Sequence, residues 1–149
     1  MMKLSSFFIA LMAIFLMSKA ASLDNSVHEY YISESKLTFL QAWTECKIMN
    51  KSLINLQDQT SYDSLVQHLK SGQYLNTNTY WLGGVKTTNG AWLWMDTQEY
   101  ITYSKWATNE PNSTFAADFC LLLGRDYGNI DPYEWEAKEC TEMQYYICQ

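Results

Sequence analysis

Histidine, basic residues and charge in general are scarce in this sequence, and each shortage removes a class of function. The chain has 149 residues, with 10 Lys and Arg against 16 Asp and Glu, and only 17% of it is charged. So low a charged fraction, beside 48% hydrophobic and 15% aromatic residues, argues for a packed core and against a disordered chain. The shortage of Lys and Arg leaves no basic stripe, and an acidic surface repels phosphates, so nucleic acid is excluded as a partner. His28 and His68 are the two histidines. Neither belongs to a Ser-His-Asp, Cys-His or zinc constellation, so no enzyme is expected. No close cysteine pair of finger spacing occurs, which argues against structural zinc. Internal repeats, linkers and low-complexity tracts are also missing, and the length then points to one folded domain.

What is present begins with an apolar leader. Lys3 gives a positive start, Leu4 to Met17 is almost unbroken apolar sequence, and Ser18-Lys19-Ala20 offers the small residues that a signal peptidase reads. Residues 1–20 are therefore expected to be a signal peptide and residues 21–149 the secreted domain. The apolar run is shorter than the roughly 20 residues that a membrane span needs. Losing Lys3 and Lys19 leaves 8 basic residues against 16 acidic ones and takes the formal charge from −6 to −8, which suits divalent cations or neutral ligands. Four cysteines remain: Cys46, Cys120, Cys140 and Cys148. An even count behind a signal peptide implies two disulfides, with three pairings open.

Tyr30-Tyr31-Ile32 reads as a short strand. Thr38 is placed to cap a helix, with Gln41 three residues on to reciprocate. Phe39, Ala42, Trp43, Cys46 and Met49 then recur at helical spacing, and Asn50 or Lys51 ends the helix. "LINLQD" reads as a short strand. A second helix starts near Asp58 or Thr60, with Tyr62, Leu65, Val66 and Leu69 as its stripe and Gly72 as its terminator. After the polar loop "SGQYLNTNT" the helical signal stops. "YWLGGV" and "AWLWMD" are short aromatic strands joined by the turn at Asn89-Gly90. An irregular region from Asp96 to Asp118 follows, then the strand "FCLLLGR", the turn-rich loop "YGNIDPYEW" and a last strand, "YYICQ". Two helices followed by many strands define an α+β fold.

In this order the residues resemble the C-type lectin-like domain, over roughly residues 31 to 149. The resemblance is carried by Trp43 and Cys46 on the first helix, "YWLGG" at Tyr80 to Gly84 and "WLW" at Trp92 to Trp94. It continues through Trp106 four residues before Glu110-Pro111-Asn112, then Cys120, Trp135, Cys140 and Cys148. The single secreted domain is similar to insect lectins. The resemblance implies two helices packed on small antiparallel sheets with a long irregular loop region. It also implies the bonds Cys46–Cys148 and Cys120–Cys140, and core roles for Trp81, Trp92, Trp94 and Trp106.

In sugar-binding members Glu and Asn flank a cis proline and share Ca²⁺ with sugar hydroxyls, and Glu-Pro-Asn marks the mannose, glucose and fucose type. Pro111 would play that structural part here. The same resemblance assigns Asp118 to a position usually held by Glu, and Glu136 and Ala137 to positions usually held by Asn and Asp. The ligand set available is then Glu110, Asn112, Asp118 and Glu136. It keeps the family's formal charge and loses one side-chain ligand, so a weakened or absent calcium site is expected. Ser113 and Phe119 stand where auxiliary acidic ligands would be. Glu134 and Glu136 read as a remnant of the calcium loop and not as a catalytic pair.

Two expectations of function follow. The first is a secreted mannose-type lectin with weak Ca²⁺ dependence; the second is a calcium-independent domain that recognises a protein or glycoprotein. Asn50-Lys51-Ser52 and Asn112-Ser113-Thr114 both satisfy the rule for N-glycosylation acceptors. A glycan on Asn112 would fill the sugar site, but an ordered loop can escape the transferase; Asn50, just past a helix end, is the better acceptor.

Overall fold

The computed structural model describes residues 29–72, 74, 78–112, 119–124 and 133–149. Helix α1 (Phe39–Ile48) forms where the apolar spacing predicts it, burying Phe39, Ala42 and Cys46. Its first turn is held by Gln41, whose Oε1 accepts from the Thr38 N–H at 3.1 Å and from the Thr38 hydroxyl at 3.0 Å. Helix α2 (Gln59–Ser71) buries Tyr62, Leu65, Val66 and Leu69. Its cap is Asp58, whose Oδ1 accepts from the Ser61 N–H at 2.7 Å. Gly72 ends α2 as expected, but at φ −84, so its role there is not that of a left-handed cap.

The strands are β1 (Tyr31–Ile32), β2 (Tyr80–Lys86), β3 (Trp92–Trp94), β4 (Phe119–Gly124), β5 (Glu134–Glu139) and β6 (Tyr145–Cys148). They run in the order β1-β6-β2-β4-β5, with β3 paired to β2. All pairs are antiparallel except β2 with β6. The β2–β3 connection uses Gly90 at φ +88, a conformation that favours glycine. A register shift interrupts the β2–β4 pairing between Trp81 and Val85. Gly83 lies inside it, and a Cβ there would sit 2.4 Å from Asn55 Oδ1, so the close approach needs glycine.

Apolar side chains cover both faces of the central strands. Tyr80, Leu82, Leu121 and Leu123 pack in one cluster with α2 and Trp135. Trp81, Cys120 and Leu122 pack in a second with α1 and Cys148. Burial on both faces is why β2 and β4 read as continuous apolar runs instead of alternating ones.

Three expectations are corrected. "LINLQD" forms no strand of its own. Only Leu53 makes a bridge, to Cys148; the Ile54 N–H donates to the Ile147 carbonyl and the Ile54 carbonyl accepts from the Gly83 N–H, each at 2.9 Å, and no ladder continues beyond it. "YGNIDPYEW" is not wholly a loop, since Glu134 and Trp135 open β5; residues 125–132 lie outside the described residues. Among the tryptophans, Trp81 and Trp94 are core, whereas Trp92 and Trp106 are half-buried and rest on each other with ring centroids 5.0 Å apart.

Tyr146 on β6 is 4% exposed. Burial, and Tyr31 beside it, push its hydroxyl from 10.0 up to about 12. Between those values the unfolded chain has released a proton that the folded chain still holds. The stability this tyrosine contributes is therefore complete below pH 10.0 and is lost as pH rises toward about 12. Urea midpoints measured across that window should fall with pH. The Tyr146→Phe variant should show a shallower fall, and an unchanged slope would count against the assignment to Tyr146.

Candidate functional site: a loop clamped to the outer edge of β5

Among the described residues β5 is the outermost strand on its side, and its outer edge receives the segment 105–112. The Trp135 N–H donates to the Lys105 carbonyl at 2.7 Å, and the Ala107 N–H donates to the Trp135 carbonyl at 2.9 Å. Trp106 thus makes a parallel bridge to Trp135, and the two rings meet edge to face at 5.9 Å. The chain then turns through Asn109 at φ 70, and the Glu110 N–H returns to the Ala107 carbonyl at 3.0 Å. The Glu110–Pro111 peptide bond is cis. These bonds fix where the Glu110 side chain starts.

The Glu110 carboxylate then holds the loop. Its Oε2 accepts from the Asn112 N–H and from the Ala137 N–H, each at 2.9 Å. Charge-assisted bonds of this kind contribute roughly 1.5–3 kcal/mol when desolvated, less where water competes. One oxygen is thereby committed to the backbone, and Oε1 is the oxygen not engaged by these two amides. Glu110 is half-buried, while Pro111 and Asn112 are exposed.

β5 determines where the other expected ligands lie. Along the strand Trp135 and Ala137 are buried, and Glu134 and Glu136 alternate with them. Register pairs Ala137 with Leu121 and Glu136 with Leu122, so Glu136 is on the opposite sheet face from Ala137. In an antiparallel strand the N–H and C=O of one residue point to the same edge. The Ala137 carbonyl therefore faces the same edge as the N–H that bonds Glu110. Asp118, with the rest of the sequon at Ser113 and Thr114, lies outside the described residues.

The structure thus brings Glu110, Asn112 and position 137 together, with Glu136 one residue away on the other face. Among the described residues no group of three or more His, Cys, Asp or Glu side chains converges as a metal cage. The donors at the loop are hard oxygens of the kind that suit calcium: the Glu110 carboxylate, the Asn112 carboxamide and the Ala137 carbonyl. They are fewer than the six to eight that calcium takes. The partnership of Glu110 with the Ala137 amide was not visible in the sequence. An alanine carries no chemical signal, and its backbone is indistinguishable from any other.

Both disulfides match the expected pairing. Cys46 is bonded to Cys148 across 102 residues, and Cys120 to Cys140 across 20. The shorter bond joins β4 to the end of β5, next to the strand that carries the loop. Asn50 is exposed and has φ 56.

The family profile described as the lectin C-type domain matches residues 35–149. The chain belongs to the C-type lectin domain family, which is generally non-enzymatic. It is similar to the C-type lectin mosGCTL-7 of Aedes aegypti, 25% identical over 121 residues, covering 80% of each chain. The C-type lectin domain of murine dendritic cell inhibitory receptor 2, solved in complex with an N-glycan, shares the fold. Its TM-score is 0.67 at 20% identity, over 80% of this chain and 87% of that one. So does a Ca²⁺-dependent type II antifreeze protein in its Ca²⁺-free form, with TM-score 0.63 and 22% identity, over 80% of this chain and 88% of that one. No helix among the described residues is long and apolar enough to cross a membrane.

Proposed function

We propose that the protein is a secreted glycan-recognition domain of mannose-type specificity whose calcium dependence is weakened. The observation that carries this reading is the Glu110 carboxylate bonded to the amides of Asn112 and Ala137 at 2.9 Å. That clamp presents Glu110 and Asn112 side by side at the edge of β5. There the Glu110 Oε1 accepts from one sugar hydroxyl and the Asn112 carboxamide donates to its neighbour. Asp118 and Glu136 are the further residues proposed for both glycan and metal, Glu136 reaching round the edge of β5 from the face opposite Ala137. A calcium ion bound there would supply positive charge that orients both sugar hydroxyls. The structural relative that holds an N-glycan supports this use of the fold.

A second reading has its own observation. Ala137 offers no side-chain oxygen, and one oxygen of Glu110 is already occupied by backbone amides. A calcium-independent domain that recognises a protein or glycoprotein by this loop edge fits those facts, and the fold is not confined to sugar binders by name.

Calorimetry on the purified domain separates the two. The first reading expects heat from Ca²⁺ only in the range of about 10⁻⁴–10⁻³ M or weaker, and mannose heat that grows with Ca²⁺. Silence from Ca²⁺ and mannose alike at millimolar concentrations selects the second.

A further inference from the structure

We propose that Asn50 carries an N-linked glycan, added before the domain closes; this rests on the secretory reading of residues 1–20. The folded structure gives Asn50 a structural role as well. The Asn50 N–H donates to the Lys47 carbonyl at 3.0 Å and the Lys51 N–H to the Cys46 carbonyl at 2.8 Å. With Asn50 at φ 56, this is the Schellman ending of α1, a position that tolerates Asn because it adopts the left-handed conformation readily. That role fixes the backbone and leaves the side chain exposed. The hydroxyl two residues on, at Ser52, accepts from Lys47 Nζ at 3.0 Å in the folded domain, an exposed contact that forms after the acceptor has been read.

Chain order makes this acceptor accessible. A transferase needs a pliable sequon, and the long-range contacts that fix Ser52 are synthesised late, while the backbone bonds of Asn50 and Lys51 run only to the end of α1. Ser52 exchanges two backbone hydrogen bonds with Gln149, at 3.0 and 2.9 Å. Leu53 bridges Cys148, and Cys46 waits 102 residues for its disulfide partner. At 5–20 residues per second, about 100 residues leave the sequon open for roughly 5–20 s. Asn112 has a shorter window. Its neighbour Glu110 meets Ala137 after 27 residues, about a quarter of that time.

The reaction joins Asn50 Nδ2 to C1 of the first sugar of a lipid-diphosphate-linked oligosaccharide. Nδ2 loses a proton, and the lipid diphosphate departs with the electron pair of the broken C1–O bond. The sheet order then keeps the glycan off the recognition loop. Ser52 lies beside the end of β6, and β2 and β4 intervene before β5, a separation of about 14 Å at strand spacing alone.

The full chain should be translated with microsomes and assayed for protease protection and for a mass step reversed by an N-glycan-cleaving glycosidase. The expected result is a protected chain with a step that survives in Asn112→Gln and in Ser52→Thr, and is lost in Asn50→Gln and in Ser52→Ala. The Ser52 pair leaves Asn50 and its helix-ending role untouched, and Ser52→Ala gives up only the exposed hydrogen bond from Lys47, so the pair reports the acceptor rule. A protected chain with no step overturns the acceptor assignment alone. A step that persists in Ser52→Ala but vanishes in Asn112→Gln also overturns it. A chain open to protease overturns both this proposal and the secretory reading.

Discussion

Replacing Cys46 and Cys148 together by Ala should lower the stability of the domain by about 5 kcal/mol. This would leave little of the roughly 5–15 kcal/mol that a domain usually has. Most of the loss comes from the unfolded chain. The bond closes a loop of 102 residues, and removing it frees that loop. Both cysteines are also completely buried among Leu53, Trp81 and Tyr146, so the vacated sulfurs leave unfilled space. The same change at Cys120 and Cys140 opens a loop of only 20 residues, and about 3 kcal/mol should be lost. Urea unfolding of the two variants under oxidising conditions measures the difference. If the short bond proves the more stabilising, loop closure is not what the long one contributes, and α1 is held to β6 chiefly by packing.

Much of the architecture could be read from residue patterns, because those patterns record burial. α1 and α2 are amphipathic, and their stripes of Phe39, Ala42 and Cys46 and of Tyr62, Leu65, Val66 and Leu69 are the buried residues. β2 and β4 are buried on both faces, so they are apolar throughout and stand out in the sequence. β5 was illegible for the opposite reason. It needs only Trp135 and Ala137 inside, and its remaining residues, Glu134, Glu136, Lys138 and Glu139, look like a solvated turn. Charge is what an outer strand tolerates, and what blunts its unpaired edge. The candidate site was legible only in its side chains. Glu110, Pro111 and Asn112 announced themselves, but the hydrogen bonds that position them run to the backbone of Lys105, Ala107, Trp135 and Ala137. Backbone partners are set by register, and register along β5 emerges only once that strand is placed beside β4.

Position 137 gives the other large expected effect, because its sign depends on the metal. Ala137 is 8% exposed, lies on the same sheet face as Trp135, and gives its N–H to Glu110. In Ala137→Asp a carboxylate enters that buried position beside an existing one. Desolvation and like charge both oppose its ionisation, and without calcium the variant should lose about 1–3 kcal/mol. Calcium reverses the penalty if the two carboxylates face a common point. An ion present at 100 times its dissociation constant returns about 2.7 kcal/mol, so the melting temperature should climb with calcium while the unaltered chain moves little. The gain should also disappear under acid conditions, where the new carboxyl is protonated and no longer a ligand. Ala137→Asn separates charge from bulk: it fills nearly the same space, lacks the negative charge, and should respond to calcium weakly. A variant Asp whose melting temperature ignores calcium would mean that position 137 does not face a cation. The clamp between Glu110 and β5 would then serve to shape a loop for contact with another surface, without metal.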